Sequence, residues 1–156
     1  MLAYLSLKKI VCCNKNSYFS IILLLSGDIS LNPGPNTCDN NSWDIFKKRG
    51  LHIIHLNINS LLPKIDEIRN IAKSSNLSDI GFSETKLDDS VFDAEINIEG
   101  FTLIRSDRNR HGGGVACYVK QNLTFDVKSY FSNDIENIFI DIFLPRTKPF
   151  TLGFFY

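Results

Sequence analysis

Two short apolar stretches, Leu51 to Asn57 and Asp79 to Glu84, each end in a polar residue, and one segment of helical periodicity separates them. The run Leu51-His52-Ile53-Ile54-His55-Leu56-Asn57-Ile58 is β-rich and almost continuously apolar, as a strand covered on both faces must be. Leu61, Ile65, Ile68 and Ala72 then recur at helical spacing, with Asn59 or Ser60 as the expected cap, Pro63 in the first turn and Ser74-Ser75-Asn76 as the stop. A strand, helix, strand order of this length predicts a parallel pair. Parallel neighbours in an open sheet bring their carboxyl ends to one rim, so Asn57 and Glu84 are expected side by side. An amide beside a carboxylate is the beginning of a Mg2+ site.

Five further strands are predicted near Thr102 to Arg105, Val115 to Val119, Leu123 to Lys128, Ile138 to Leu144 and Thr151 to Tyr156. Turn signals separate them, most clearly His111-Gly112-Gly113-Gly114 and Pro145. These later strands alternate as a meander does, which predicts an α/β chain built on a mixed sheet or a two-sheet sandwich. No Gly-Lys-Ser/Thr follows the glycine run, so it reads as a tight turn and not as a nucleotide loop. Arg105, Arg108 and Arg110 stand near it as local phosphate contacts. His52 and His55 alternate awkwardly with the apolar residues of their strand, and the plainer reading is of histidines satisfied by neighbouring loops.

With 156 residues, 44% hydrophobic and 22% charged, the chain can bury one sizeable core. Its 17 basic and 17 acidic residues cancel, which excludes a whole-chain electrostatic grip on nucleic acid and confines any such contact to a local patch. Cys12, Cys13, Cys38 and Cys117 show neither a metal-ligand spacing nor a disulfide ladder, which points to a reducing compartment. Asn40, Asn76 and Asn122 begin Asn-x-Ser/Thr triplets, which carry weight only in a secreted chain.

Residues 1 to 35 form a leader: Lys8, Lys9 and Lys15, an apolar run from Tyr18 to Leu25, then Asp28-Ile29-Ser30-Leu31-Asn32-Pro33-Gly34-Pro35. The run is too short to span a bilayer, which takes about 20 apolar residues. It fits a weak signal peptide or a sticky leader. It also resembles a 2A-like ribosome-skipping peptide, in which the bond between the last Gly and Pro fails to form. Here that bond is Gly34-Pro35, with Ser30 where the family has Glu. The constrained imino nitrogen of Pro35 makes a poor nucleophile, and Pro33 restricts the approach of the Gly34 ester. Residues 36 to 50 read as a polar linker ending in Lys47-Lys48-Arg49.

Four motifs occur in order in residues 51 to 156. They are Leu56-Asn57-Ile58-Asn59-Ser60-Leu61-Leu62-Pro63-Lys64, Ser83-Glu84-Thr85-Lys86-Leu87-Asp88, Arg105-Ser106-Asp107-Arg108 and Gly112-Gly113-Gly114-Val115-Ala116. Together they resemble the endonuclease/exonuclease/phosphatase superfamily, and within it the apurinic-type endonuclease domain of non-LTR (LINE-like) retrotransposons. A 2A-like leader is itself a habit of such elements.

The resemblance implies an incomplete four-layer α/β/β/α sandwich with mixed sheets, of which residues 51 to 156 are the N-terminal half. It implies that Glu84 binds Mg2+ (or Mn2+), that Asn57 lines the same site, and that Tyr156 contacts the scissile phosphate, with Arg105 and Arg108 as further phosphate or DNA contacts. The reaction it implies is nicking of target DNA to leave a 3′-hydroxyl primer, with a reverse transcriptase domain downstream in the full polyprotein and a nuclear site of action reached from the cytoplasm. The family's second half supplies a Gly-Asp-x-Asn motif and a terminal Ser-Asp-His, and neither occurs here, so the chain is expected to be inactive alone. The competing readings are a nuclease-like interaction module without catalysis and a secreted or membrane-associated protein whose leader is a signal sequence. Each site residue also has a plainer role: Asn57 as a turn cap, Glu84 as the start of a solvated loop, Tyr156 as an interface aromatic.

The leader gives the first test. Placed between two reporters in cell-free translation, residues 1 to 35 are expected to yield separated products alongside the fusion; full-length fusion alone would exclude skipping at Gly34-Pro35.

Overall fold

In the computed structural model, which describes residues 50–128 and 136–156 and the backbone of three short strands before them, the apolar stretch Leu51–Asn57 is a central strand, β4. The three earlier strands are β1 (Leu7–Ile10), β2 (Cys13–Asn14) and β3 (Ser17–Leu24). β4 has parallel neighbours on both sides: β3, with Ile21 opposite Ile53, and β5 (Asp79–Ser83), with Leu56 opposite Phe82. This explains why β4 is mostly apolar, since neither face nor edge meets water over most of its length. The apolar run read as a leader therefore supplies the strand next to β4. The junction Gly34-Pro35 and the linker at 36–49 lie outside the described residues.

The chain passes from β4 to β5 through a 3-10 turn at Leu62–Lys64 and helix α1 (Ile65–Ser74). The helix begins later than its pattern predicts. Asn59 and Ser60 have positive φ and do not cap the helix, so Pro63 falls in the 3-10 turn and Lys64 occupies the cap position without a side-chain capping bond. Ile65, Ile68 and Ala72 form its buried face as expected.

Beyond β5 come a short helix α2 (Asp93–Ile96), β6 (Phe101–Ser106), β7 (Val115–Lys120), β8 (Thr124–Lys128), β9 (Asn137–Phe143) and β10 (Phe150–Phe155). The five predicted strands all form, with ends shifted by a residue or so; α2 has no counterpart in the sequence reading. One sheet has the order β1-β3-β4-β5-β7-β6, with β2 beside β3, and is mixed because β7 runs antiparallel to β5. The second has the order β10-β9-β8, all antiparallel. The protein is thus a mixed α/β chain with two sheets, few helices and mostly strands. Among the described residues no helix is long and apolar enough to cross a membrane.

Strand alternation divides the core in two. Ile54, Leu56, Ile80, Phe82, Ala116 and Tyr118 face α1, Ile96 of α2 and the loops that carry Leu61 and Leu87. Phe82 meets Tyr118 edge to face at 5.9 Å, and the Tyr118 hydroxyl donates to Ile96 O at 2.7 Å, which satisfies a phenol buried among hydrocarbon. On the opposite face Val115, Cys117 and Val119 pack against Ile138, Ile140, Ile142 and Phe154 of the second sheet. Gly81 makes that approach possible, because a Cβ there would overlap the Phe154 ring.

The same inter-sheet face holds polar groups. His55 Nε2 lies 3.2 Å from Ser83 Oγ, with its ring 5.8 Å from that of Phe154. The His52 main-chain amide donates to Ser78 Oγ at 3.2 Å, so the loop before β5 is tied to the start of β4. Burial holds the His55 pKa below its ordinary value. Asp79 is completely buried, with Cys117 Sγ 3.5 Å from its Oδ1, and burial pushes its pKa from 3.8 up to about 7. Cys117 is a free thiol, raised further by the same burial.

A carboxyl that keeps its proton in the folded chain after the unfolded chain has released it makes stability fall as pH rises from about 4 to about 7, and leaves it flat above. At about 1.4 kcal/mol per pKa unit the effect is on the order of 4 kcal/mol. Urea unfolding across this range is expected to show that decline in the native chain and its loss in Asp79→Asn; parallel profiles for the two would exclude it.

Candidate functional site

The loops that leave β4 and β5 are hydrogen-bonded to each other. The strand ladder continues past the strand ends: Ile58 N donates to Ser83 O at 2.9 Å, Ser60 N to Glu84 O at 2.8 Å and Leu61 N to Thr85 O at 2.9 Å. On the other side, Thr85 N donates to Gly114 O at 3.2 Å and Lys86 N to Gly113 O at 3.0 Å. Residues 83–86 are therefore clasped between the β4 exit and the β7 entry. The cost is backbone strain. Among the described residues five non-glycines have positive φ, and four of them, Asn59, Ser60, Glu84 and Lys86, belong to this clasp. Each such conformation costs on the order of 1–3 kcal/mol and clusters where a loop must aim a side chain. Lysines brace it: the Lys64 ammonium donates to the carbonyls of Ile58 and Asn59, and Lys86 Nζ donates to Asn59 Oδ1 at 2.6 Å.

The clasp aims the Glu84 carboxylate at the glycine loop. Gly113 N donates to Glu84 Oε2 at 3.2 Å, and the Tyr156 hydroxyl, from the end of β10, donates to the same carboxylate. The Tyr156 bond is the largest of the influences that hold Glu84 below the ordinary glutamate pKa, with the Gly113 amide, Lys86 and Arg108 adding to it. Tyr156 is correspondingly pushed up by Glu84, so the shared proton stays on the phenol. Glu84 and Tyr156, distant in sequence and carried by different sheets, thus meet at one rim.

The other expected residues fall out differently. Asn57 closes β4 opposite Ser83, one residue before Glu84, and is half-buried at the same rim. Arg108 is 52% exposed beside the site, its Nε 3.6 Å from Glu136 Oε1. Arg105 is only 20% exposed and already engaged by Asp93 at 3.3 Å, Asp107 at 3.2 Å and Val91 O at 3.0 Å. Arg110 is held by Asp88 at 2.7 Å and by the Ser90 hydroxyl. Of the three arginines near the loop, Arg108 alone lies beside the Glu84 carboxylate.

The sequence reading missed Glu136. It precedes β9, accepts from Gly114 N at 3.3 Å through Oε2, and its carbonyl accepts from Tyr156 N at 3.1 Å. Its side-chain contacts cross between sheets, so no spacing along the chain could have signalled them. The glycine run serves as the tight turn it was read to be, with φ of 77° at Gly113 and 83° at Gly114. A Cβ at Gly113 would also crowd Arg108 Cδ at 2.7 Å and Glu136 Oε2 at 2.8 Å. Among the described residues no group of three or more His, Cys, Asp and Glu side chains converges as a ready-made metal cage.

Compared with known protein families and with curated proteins, the sequence matches none.

Tyr156→Phe is expected to move the Glu84 titration midpoint upward, toward the ordinary glutamate value, because it removes the largest influence depressing it. Carboxyl-carbon NMR titration measures this, and an unchanged midpoint would mean that the phenol does not bond Glu84 in solution.

Proposed function

We propose that residues 51–156 carry one wall of a metal-dependent phosphodiester-cleaving site that nicks DNA. On this reading the two sheets are the inner layers of a four-layer α/β/β/α sandwich of the endonuclease/exonuclease/phosphatase type. The observation that carries the proposal is the convergence of Glu84 from the β5 exit, Tyr156 from the end of β10 and Arg108 from the loop before β7 onto one strained, hydrogen-bonded rim. An anionic carboxylate, a phenol donor and a guanidinium within reach of one another suit a substrate that is itself a phosphate diester.

The residues fit Mg2+ or Mn2+ in one respect, the chemistry of the donor. Magnesium at phosphate-transfer sites is held by one or two carboxylates, with water and substrate oxygens completing the shell. Glu84, kept ionised and at an open rim, is such a carboxylate, and Asn57 would line its flank. When bound, the cation supplies Lewis-acid polarisation of the phosphate. Arg108 would bind a phosphate oxygen, and the Tyr156 hydroxyl, turning its one proton from Glu84 to the substrate, would orient another. Lys64 and Lys86, by fixing the left-handed backbone around Asn59, keep Glu84 aimed without reorganisation.

Among the described residues both carboxylates at this rim, Glu84 and Glu136, are already engaged by backbone amides and by Tyr156 or Arg108, and taking a proton from water is a function worth about 10²–10⁴-fold in rate. The full reaction, in which the nick primes reverse transcription by a downstream domain, therefore draws on residues beyond this wall.

Titration with Mn2+ is expected to give heat or paramagnetic broadening at Glu84 in the native chain and neither in Glu84→Gln, while supercoiled plasmid with Mg2+ stays intact. Equal Mn2+ response in both proteins would remove the metal-site reading and favour an interaction module. Nicking that depends on Glu84 would show that one wall suffices.

A further inference from the structure

Glu136 makes three contacts that converge on the rim from the second sheet. Its Oε2 accepts from Gly114 N at 3.3 Å, its Oε1 lies 3.6 Å from Arg108 Nε, and its carbonyl accepts from Tyr156 N at 3.1 Å. The neighbouring amide, Gly113 N, donates to Glu84 at 3.2 Å. Two successive backbone amides are thus divided between two carboxylates, one from each sheet, and a single peptide unit sets the distance between them. The positive φ at both glycines turns those amides outward, and the space a Gly113 Cβ would need is already filled by Arg108 and Glu136.

We infer that Glu136 is a positioning residue: it locks the glycine loop, the Arg108 guanidinium and the Tyr156 backbone into one unit and so fixes where a substrate phosphate can bind next to Glu84. This rests on the reading of the rim as a phosphate-diester site. The side chain is only partly exposed, and both its oxygens are engaged within the protein. Arg108 is half in water, and a long side chain there has many rotamers to choose from; the Glu136 partner selects one. The plainer role, a carboxylate that merely ties the second sheet to the first, predicts a loss of stability on substitution with no specific effect at Arg108 or Gly113.

The test uses the full chain and the substitutions Glu136→Gln and Arg108→Gln, singly and together, with thermal unfolding as a check on folding. Amide and arginine Nε–H NMR in the free protein is read first. Glu136→Gln is expected to shift Gly113 as well as Gly114 and to abolish the exchange protection of the Arg108 Nε–H. Resonances of Gly113 and Arg108 that stay in place would overturn the inference.

Anisotropy of a fluorescein-labelled duplex is read second. Each single variant is expected to lose about three- to fivefold in affinity, and the double variant no more than either, because the pair acts as one unit. Additive losses would overturn the coupling. If Glu136→Gln does not fold, Arg108→Gln still decides, since it must perturb Gly114 through Glu136, and an unshifted Gly114 would exclude the link. A native chain that fails to bind the duplex would count against the nuclease reading, while the free-protein spectra would still decide whether Glu136 holds Arg108.

Discussion

The hydrogen-bonded clasp of three loops is the constraint on which the rest of the rim depends. Backbone groups of residues 58–61 and 113–114 satisfy those of residues 83–86 from both sides. A loop paired in this way cannot relax locally, so it can hold Glu84 and Lys86 in left-handed conformations that isolated chain would leave. The strain is stored in the one place where several side chains must be aimed at a common point. Removing any edge of the clasp would release two loops.

The second constraint is the depth at which the two sheets meet. Phe154 lies over a glycine in the middle of β5, and this brings β10 close enough for Tyr156 to reach Glu84 and for Glu136 to reach Gly114. The packing that makes the core is therefore also what completes the rim. The inter-sheet layer tolerates polar groups because each is met: His55 by Ser83 and Asp79 by Cys117. A buried carboxyl with a raised pKa is more easily kept neutral than paired with a charge at this depth.

Skipping at Gly34-Pro35 would bear directly on the larger sheet. With that bond unformed, β1 to β3 and β4 to β10 would be delivered as separate pieces, joined in the sheet only by the ladder between β3 and β4. That strand pair spans six residue positions from Phe19 to Leu24, and it covers an edge of β4 that would otherwise present unpaired backbone.

Much of this was legible in the residues. The nearly continuous apolar run of β4, the helical spacing of Ile65, Ile68 and Ala72, and the turn signals before β7 fixed the type and order of these elements, because each reports a local pattern. The parallel pairing followed from the length of the connection, and it placed Asn57 and Glu84 at one rim. Besides α2 and the pairing of β3 with β4, three things were not legible: the late start of α1, the capture of Arg105 by Asp93 and Asp107, and the arrival of Glu136 beside Gly114. The first was decided by loop-to-loop hydrogen bonds, which outbid the local capping tendency of Asn59 and Ser60. The other two depend on which residues a second element brings near, and the sequence carries no period for that. The sequence alone thus determined the strands, the helix and a carboxylate at a strand end. Only the tertiary structure decided which phenol, which guanidinium and which second carboxylate would meet it, because those contacts arise from the distance between two sheets.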